Sequence, residues 1–255
     1  MPAVLILSSF VAANPVGGAM QSAVLARMGY ETVLAPTVLF GRHPGLGPPG
    51  GAAVEPSVFA SLLAGIGANG VFERVQAIIT GYFAHPDQVA ASATVIDAAR
   101  AANPAVHIVV DPIMGDAGSG LYVSEAVAEA LANKLVPLAG LIAPNAWELE
   151  RLTGQDVSDP TAALAAARAM GCATLVSSVA AGGEIGVIYA TSGEAWLATH
   201  ERLAADPKGA GDLLAALFLG HRLAGATPQA ALRAAVSEVA AVAADRHVPV
   251  RVTGL

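Results

Sequence analysis

What most constrains this chain is an alternation. Short apolar runs of strand length recur from end to end, and Ala-rich stretches of helix length separate most of them. Val4-Leu5-Ile6-Leu7 is the first run, closed by Ser8-Ser9, and its unbroken apolar character fits a strand buried on both faces. Equivalent runs stand at 32–35, 77–80, 107–110, 140–143, 174–177 and 185–189, while 19–28, 86–102, 125–135 and 160–170 read as helices. Strand alternating with helix predicts an α/β fold, a mostly parallel sheet covered by helices on both faces. Beyond Tyr189 the pattern changes: 194–198 reads as the partner strand of a late hairpin, and 211–246 as helical. No repeat, low-complexity tract or linker divides the 255 residues, so one domain spanning 1–255 is expected.

Hydrophobic residues make up 55% of the chain and charged ones 13%. Such a chain has ample apolar surface for a core and is not disordered by composition. A formal charge of −7, with no cluster of Lys or Arg, offers nothing to hold a polyanionic backbone, so nucleic acid is not an expected partner. Cys172 is the only cysteine; it excludes an intrachain disulfide and reads as an inert buried thiol. The uncharged stretch 1–26 lacks the basic start of a secretory signal. Ser8, Ser9, Asn14, Pro15, Gly17 and Gly18 interrupt its apolar run, so a cytoplasmic protein without a membrane span is expected.

In an open α/β sheet, ligands bind beyond the carboxyl ends of the strands. The residues that follow the proposed strands are therefore informative together: Ser8-Ser9, Thr37, Gly81-Tyr82, Asp111 to Asp116, Asn145 to Glu148 and Ser177-Ser178. Between the second and third runs, 41–51 holds five glycines and three prolines, which suit neither helix nor central strand. It reads either as a surface connection or as a flap over a site.

Three motifs carry chemistry. Lys208-Gly209-Ala210-Gly211-Asp212 leads into an apolar helix, leaving unpaired N–H groups and the positive end of the helix dipole where an anion fits. A carboxylate beside such a pocket suits phosphoryl transfer, because it can accept a hydroxyl proton while the amides hold charge on the transferred group. By themselves these five residues fit a plain helix cap at least as well. Asp111-Pro112-Ile113-Met114-Gly115-Asp116 could hold Mg²⁺ through water or simply form an Asx-type turn. Asn145 with Glu148 could share a metal-water network, but the pair also has the spacing of a capping box.

Taken in order, the motifs resemble the ribokinase-like kinases, and within them the pyridoxal kinases. Asp111 to Asp116 with Gly120-Leu121-Tyr122-Val123 is similar to the family's Asp-Pro-Val-Met-Gly-Asp and following Tyr-Val. Pro144-Asn145-Ala146-Trp147-Glu148 with Leu152-Thr153-Gly154 resembles Thr-Pro-Asn-x-x-Glu and Leu-Thr-Gly, and Gly209 to Asp212 resembles Gly-Thr-Gly-Asp. Ser9-Phe10-Val11-Ala12 with Val16-Gly17, and Pro36 to Phe40 with His43, are similar to the pyridoxal kinases specifically. The resemblance runs from Val4 to about Gly220 and implies a ribokinase-like three-layer α/β/α sandwich.

It also implies ATP-dependent phosphorylation of the 5′-hydroxymethyl group of pyridoxal, with Asp212 as general base and Gly209, Ala210 and Gly211 as the anion hole. Asp111, Asp116, Tyr122, Asn145, Glu148 and Ser177 would serve the nucleotide, with Asp111 and Glu148 meeting Mg²⁺ through water. Ser9, Val16, Thr37, His43 and Tyr82 would line the vitamer pocket beside Asp212, the flap would close over it, and the protein would be a homodimer. A monovalent cation stays open. Ala210 departs from the usual hydroxyl residue, and Ser8 and Gly18 stand where relatives often have Gln and Asn. Two rivals remain: a hydroxymethylpyrimidine kinase, whose members resemble Gly-Thr-Gly-Cys where this chain has Asp212, and a noncatalytic binder of pyridoxal phosphate or nucleotide.

Overall fold

The computed structural model describes residues 3–204 and 207–255. They group into two compact units, the first comprising the residues up to Gly115 with Ser119–Gly140, the second Asp116–Gly118 with the residues from Leu141 onward.

In the first unit the elements run β1 (Ala3–Val11), α1 (Gly17–Arg27), β2 (Glu31–Phe40), β3 (Gly51–Ala53), α2 (Pro56–Ala68), α3 (Val71–Arg74), β4 (Val75–Thr80), α4 (Pro86–Ala102) and β5 (His107–Val110). The two-residue strands β6 (Gly115–Asp116) and β7 (Gly120–Leu121) form a small ribbon, and α5 (Glu125–Ala130) continues into a π turn at Leu131–Leu135. The strands lie in the order β5-β4-β1-β2-β3; all pair in parallel except β3, which returns antiparallel to β2. Ala3 to Leu7 are fully buried, as an apolar run covered on both faces should be. The expected stop at Ser8-Ser9 is corrected: β1 continues to Val11, and its register against β2 shifts between Ser8 and Phe10. Two hydroxyl side chains are thus carried at the carboxyl end of a central strand rather than in a loop. Helix α1 packs tightly on this sheet because Gly18 has no side chain; a Cβ there would stand 2.4 Å from Leu34 Cδ1.

The second unit runs β8 (Leu141–Ile142), α6 (Ala146–Thr153), α7 (Pro160–Ala169), β9 (Ala173–Ala181), β10 (Glu184–Ala190), β11 (Ala195–Glu201), α8 (Ala210–Leu223), α9 (Pro228–Ala244) and β12 (Arg251–Gly254). Here β8 and β9 pair in parallel, β9, β10 and β11 form an antiparallel meander that contains the expected hairpin, and β12, reached only after α8 and α9, adds antiparallel to β11. The core of this unit gathers Leu149, Ala163, Ala166, Val176, Val179 and Ile188, and Leu213 to Gly220 of α8 are buried. Local signals set the helix ends. Asp159 caps α7 ahead of Pro160, accepting from Thr161 and Ala162 N–H, and Gly154 closes α6 at φ +67°, a value glycine adopts without steric cost. Cys172 is partly buried, and burial pushes its thiol pKa up, in keeping with an inert thiol. No helix among the described residues is long and apolar enough to cross a membrane.

Candidate active site

In the first unit, the carboxyl ends of β1, β2, β4 and β5 carry a polar rim. Ser9 lies on β1, and Val16 stands directly before α1 in extended conformation; both are nearly buried. Between them the chain turns back so closely that a Cβ on Gly17 would sit 2.0 Å from Ser9 Oγ, and Gly17 adopts φ +59°, so only glycine fits. Thr37 on β2 is fully buried and its Oγ1 donates to Tyr82 O at 2.6 Å, tying the end of β2 to the loop after β4. Burial raises the Tyr82 phenol pKa, so the ring keeps its proton at neutral pH. Asp111 is 5% exposed, with its N–H donating to Thr80 O. Tyr122, half exposed, donates its N–H to Met114 O.

The glycine–proline segment is not a loose loop. A 3₁₀ turn occupies Pro44–Leu46, Gly41 and Arg42 donate their N–H groups to Pro49 O, and Arg42 Nε donates to Pro48 O. His43 is tied at both sides: its N–H donates to Asn14 Oδ1 at 2.8 Å, and its Nδ1 accepts from Gly45 N–H at 3.0 Å. With Nδ1 accepting, the neutral imidazole carries its proton on Nε2.

In the second unit the capping box expected at α6 is formed. Asn145 Oδ1 accepts from Glu148 N–H and Glu148 Oε2 from Asn145 N–H, each at 2.9 Å. Glu148 is 3% exposed. Ser177 bridges to Asn145 in parallel and donates its N–H to Pro144 O, so these three candidate residues do come together. Asp116 Oδ1 accepts from Gly118 N–H in a tight turn. Gly209 stands at the N-cap of α8 with φ +87°, and Asp212, 8% exposed, is the third residue of that helix. A Cβ on Gly211 would meet nothing within 4 Å, so protein packing does not demand glycine there and space lies open beside the helix start. Backbone strain marks two of the motifs: Ile113 at φ +34° and Ser178 at φ +62°, the former a conformation that β-branched residues avoid.

Sequence reasoning passed over Gln88, which is buried in the first unit and hydrogen-bonded at both ends of its carboxamide. The signal was present: His85-Pro86-Asp87-Gln88 puts Pro at the first helical position and Gln at the third, the pattern of a capping box. It also passed over Asn14, which holds the His43 main chain. Among the described residues no three His, Cys, Asp or Glu side chains form a ready-made metal cluster.

The family model for phosphomethylpyrimidine kinase matches residues 68–251. The pyridoxal kinase PdxY of Deinococcus radiodurans is 34% identical over 253 residues, covering 94% of this chain and 85% of that protein. Among solved structures, the pyridoxal kinase of Entamoeba histolytica superposes with a TM-score of 0.92 at 23% identity over the whole of both chains. That of Leishmania donovani in complex with ADP and pyridoxine gives 0.89 at 22% identity over 99% of each. The structural likeness establishes the α/β ribokinase-like fold with its mostly parallel central sheet and flanking helices. With the sequence likeness to PdxY beside it, the chain belongs to the pyridoxal kinases of the ribokinase-like superfamily.

Proposed function

We propose that this chain, acting as one kinase domain over 1–255, transfers the γ-phosphoryl group of ATP to the 5′-hydroxymethyl group of pyridoxal, with Asp212 as general base. One observation carries the reading. A buried carboxylate stands in the first turn of a helix whose start is a left-handed glycine followed, two residues later, by a glycine with open space beside it. The hydroxyl proton passes to Asp212 as the oxygen attacks phosphorus. The N–H groups of Gly209, Ala210 and Gly211 are assigned to the charge on the transferred group. That of Ala210 donates to Pro207 O at 3.2 Å and exchanges this bond for the phosphoryl oxygen, and alanine in place of a hydroxyl residue removes no main-chain donor.

Asp111, Asp116, Tyr122, Asn145, Glu148 and Ser177 are assigned to the nucleotide. Mg²⁺ in such kinases keeps several waters and leans on substrate phosphates, so one or two carboxylates suffice and no protein cluster is required. The near-buried Asp111 and Glu148 fit that donor set, and the ion would neutralise phosphate charge. Ser9, Val16, Thr37, His43 and Tyr82 are assigned to the vitamer, where Tyr82 offers a neutral ring and His43 an Nε2–H donor. The protein is read as cytoplasmic and as a homodimer, the latter supported by an exposed helix, α2, that carries no charged residue along its length.

The test is an assay of purified protein with ATP, Mg²⁺ and either pyridoxal or hydroxymethylpyrimidine. Pyridoxal is the expected acceptor, and Asp212→Ala is expected to lose about a hundredfold or more in kcat, the usual size of a general-base loss. Turnover of hydroxymethylpyrimidine alone would reassign the substrate, and tight vitamer binding without turnover would make the protein a carrier.

A further inference from the structure

The carboxamide of Gln88 uses every hydrogen-bonding direction it has, and it uses them on one structure. Nε2 donates to Thr37 O at 2.9 Å and to Val54 O at 2.7 Å, while Oε1 accepts from Ala84 N–H at 3.0 Å and from His85 N–H at 3.3 Å. Thr37 and Val54 are the two roots of the glycine–proline segment. They face each other through the Val54 N–H to Thr37 O bond, just below the ladder Val38↔Ala53, Leu39↔Ala52 and Phe40↔Gly51. The segment from 38 to 53 is therefore rooted in a pair of residues that one buried side chain grips by both carbonyls, while β1 and the 12–14 turn hold it further out at Phe40, Gly41 and His43. The grip reaches further, since Thr37 Oγ1 holds Tyr82 O and the loop of Tyr82 leads straight to the two N–H groups that Gln88 accepts.

We propose that Gln88 is a positioning residue for the acceptor. It clamps the roots of the flap to the start of α4 and so fixes Thr37, Tyr82 and the flap residue His43 relative to one another. The assignment rests on the reading above that these three residues meet the vitamer. A glutamine is required because the clamp needs two donors on one side and an acceptor on the other. Apolar isosteres such as Met provide neither, and a carboxylate turns its lone pairs on two carbonyl oxygens. Buried polar groups that lose such a partner bear the full desolvation penalty, which gives the clamp its stiffness.

Gln88→Glu separates clamp from helix cap. Glutamate at the third helical position still accepts from Ala84 and His85 N–H, as in an ordinary capping box, but can no longer donate to Thr37 O and Val54 O. The expected result is a rise of about tenfold or more in KM for pyridoxal, the equivalent of one lost buried hydrogen bond, with KM for ATP changed less than about twofold. Amide hydrogen exchange is expected to speed up across 37–54 and to stay unchanged in α8. Equal shifts in both KM values, a loss of activity that follows the melting temperature alone, or unaltered exchange in 37–54 would each overturn the proposal in favour of a plain core residue. Insolubility of both Gln88→Glu and Gln88→Met would do the same. If the wild type does not phosphorylate pyridoxal, the functional reading fails by itself, and the exchange measurement still decides the clamp.

Discussion

Ser8 and Gly81 meet at the rim of β1 and β4. Ser8 Oγ is buried and has no hydrogen-bond partner among the described residues, while a Cβ on Gly81 would come within 2.3 Å of it and 3.3 Å of Ile113 Cδ1. Removing an unpaired buried hydroxyl removes a desolvation penalty, so Ser8→Ala is expected to raise stability by about 1 kcal/mol, read as a higher urea midpoint at unchanged slope. Gly81→Ala forces its new methyl into Ser8 and is expected to cost about 1–3 kcal/mol as overpacking. Part of that cost returns in the double variant, because the two sites touch and their effects do not add. How far the site was legible follows the same line. Asp212, Asp111, Asn145 and Glu148 stand out as candidates because local motifs fix their spacing along the chain. Gln88 could not be given its role, because its partners Thr37 and Val54 lie 51 and 34 residues away and only the folded register of β2 and β3 brings their carbonyls together.

At the scale of single elements, helix α6 poses the question of what Asn145 and Glu148 are for. The capping box is present with both of its bonds, so the structural reading is realised, and it leaves the nucleotide role to be separated by substitution. Asn145→Asp keeps an N-cap acceptor for Glu148 N–H and adds a negative charge. Stability is expected to stay within about 0.5 kcal/mol, since Asp and Asn cap equally well. The new charge near nucleotide phosphates is expected to lower kcat/KM for ATP about tenfold while the pyridoxal KM stays near wild type. Unchanged ATP kinetics at unchanged stability would leave Asn145 a cap alone. Strand and helix boundaries were legible where apolar periodicity had a sharp chemical stop: β5 and α4 begin and end where the sequence reads them. Elements without such a stop were not. The edge strands β3 and β12 are short and largely exposed, with no apolar alternation to reveal them, and β1 overran its serines because the parallel pairing with β2 continues past Ser8.

For the molecule as a whole, 55% hydrophobic residues and a mean hydropathy of +0.59 go with apolar side chains left at the surface, and α2 is one place where they stand together. Only Phe59 and Leu63 of that helix are buried, whereas Val58 is 58% exposed, Leu62 is 37% exposed, and Ala60, Ala64 and Gly65 between them are exposed as well. An uncharged helix face of this kind on a protein of net charge −7 resists solvation but can be covered without burying an ion, which is what a second copy of the chain offers. A dimer is therefore expected at micromolar concentration by sedimentation velocity. The double substitution Val58→Glu with Leu62→Glu is expected to yield a monomer, because each subunit would bring two carboxylates into an apolar contact. Val58 is mostly exposed but Leu62 is covered over much of its surface, so the melting temperature of that monomer should reflect the lost association and a smaller loss of Leu62 packing. Pyridoxal phosphorylation should persist, because no residue assigned to ATP or vitamer lies in α2. A wild type that sediments as a monomer would overturn the dimer, and a double variant that remains dimeric would move the contact to another surface.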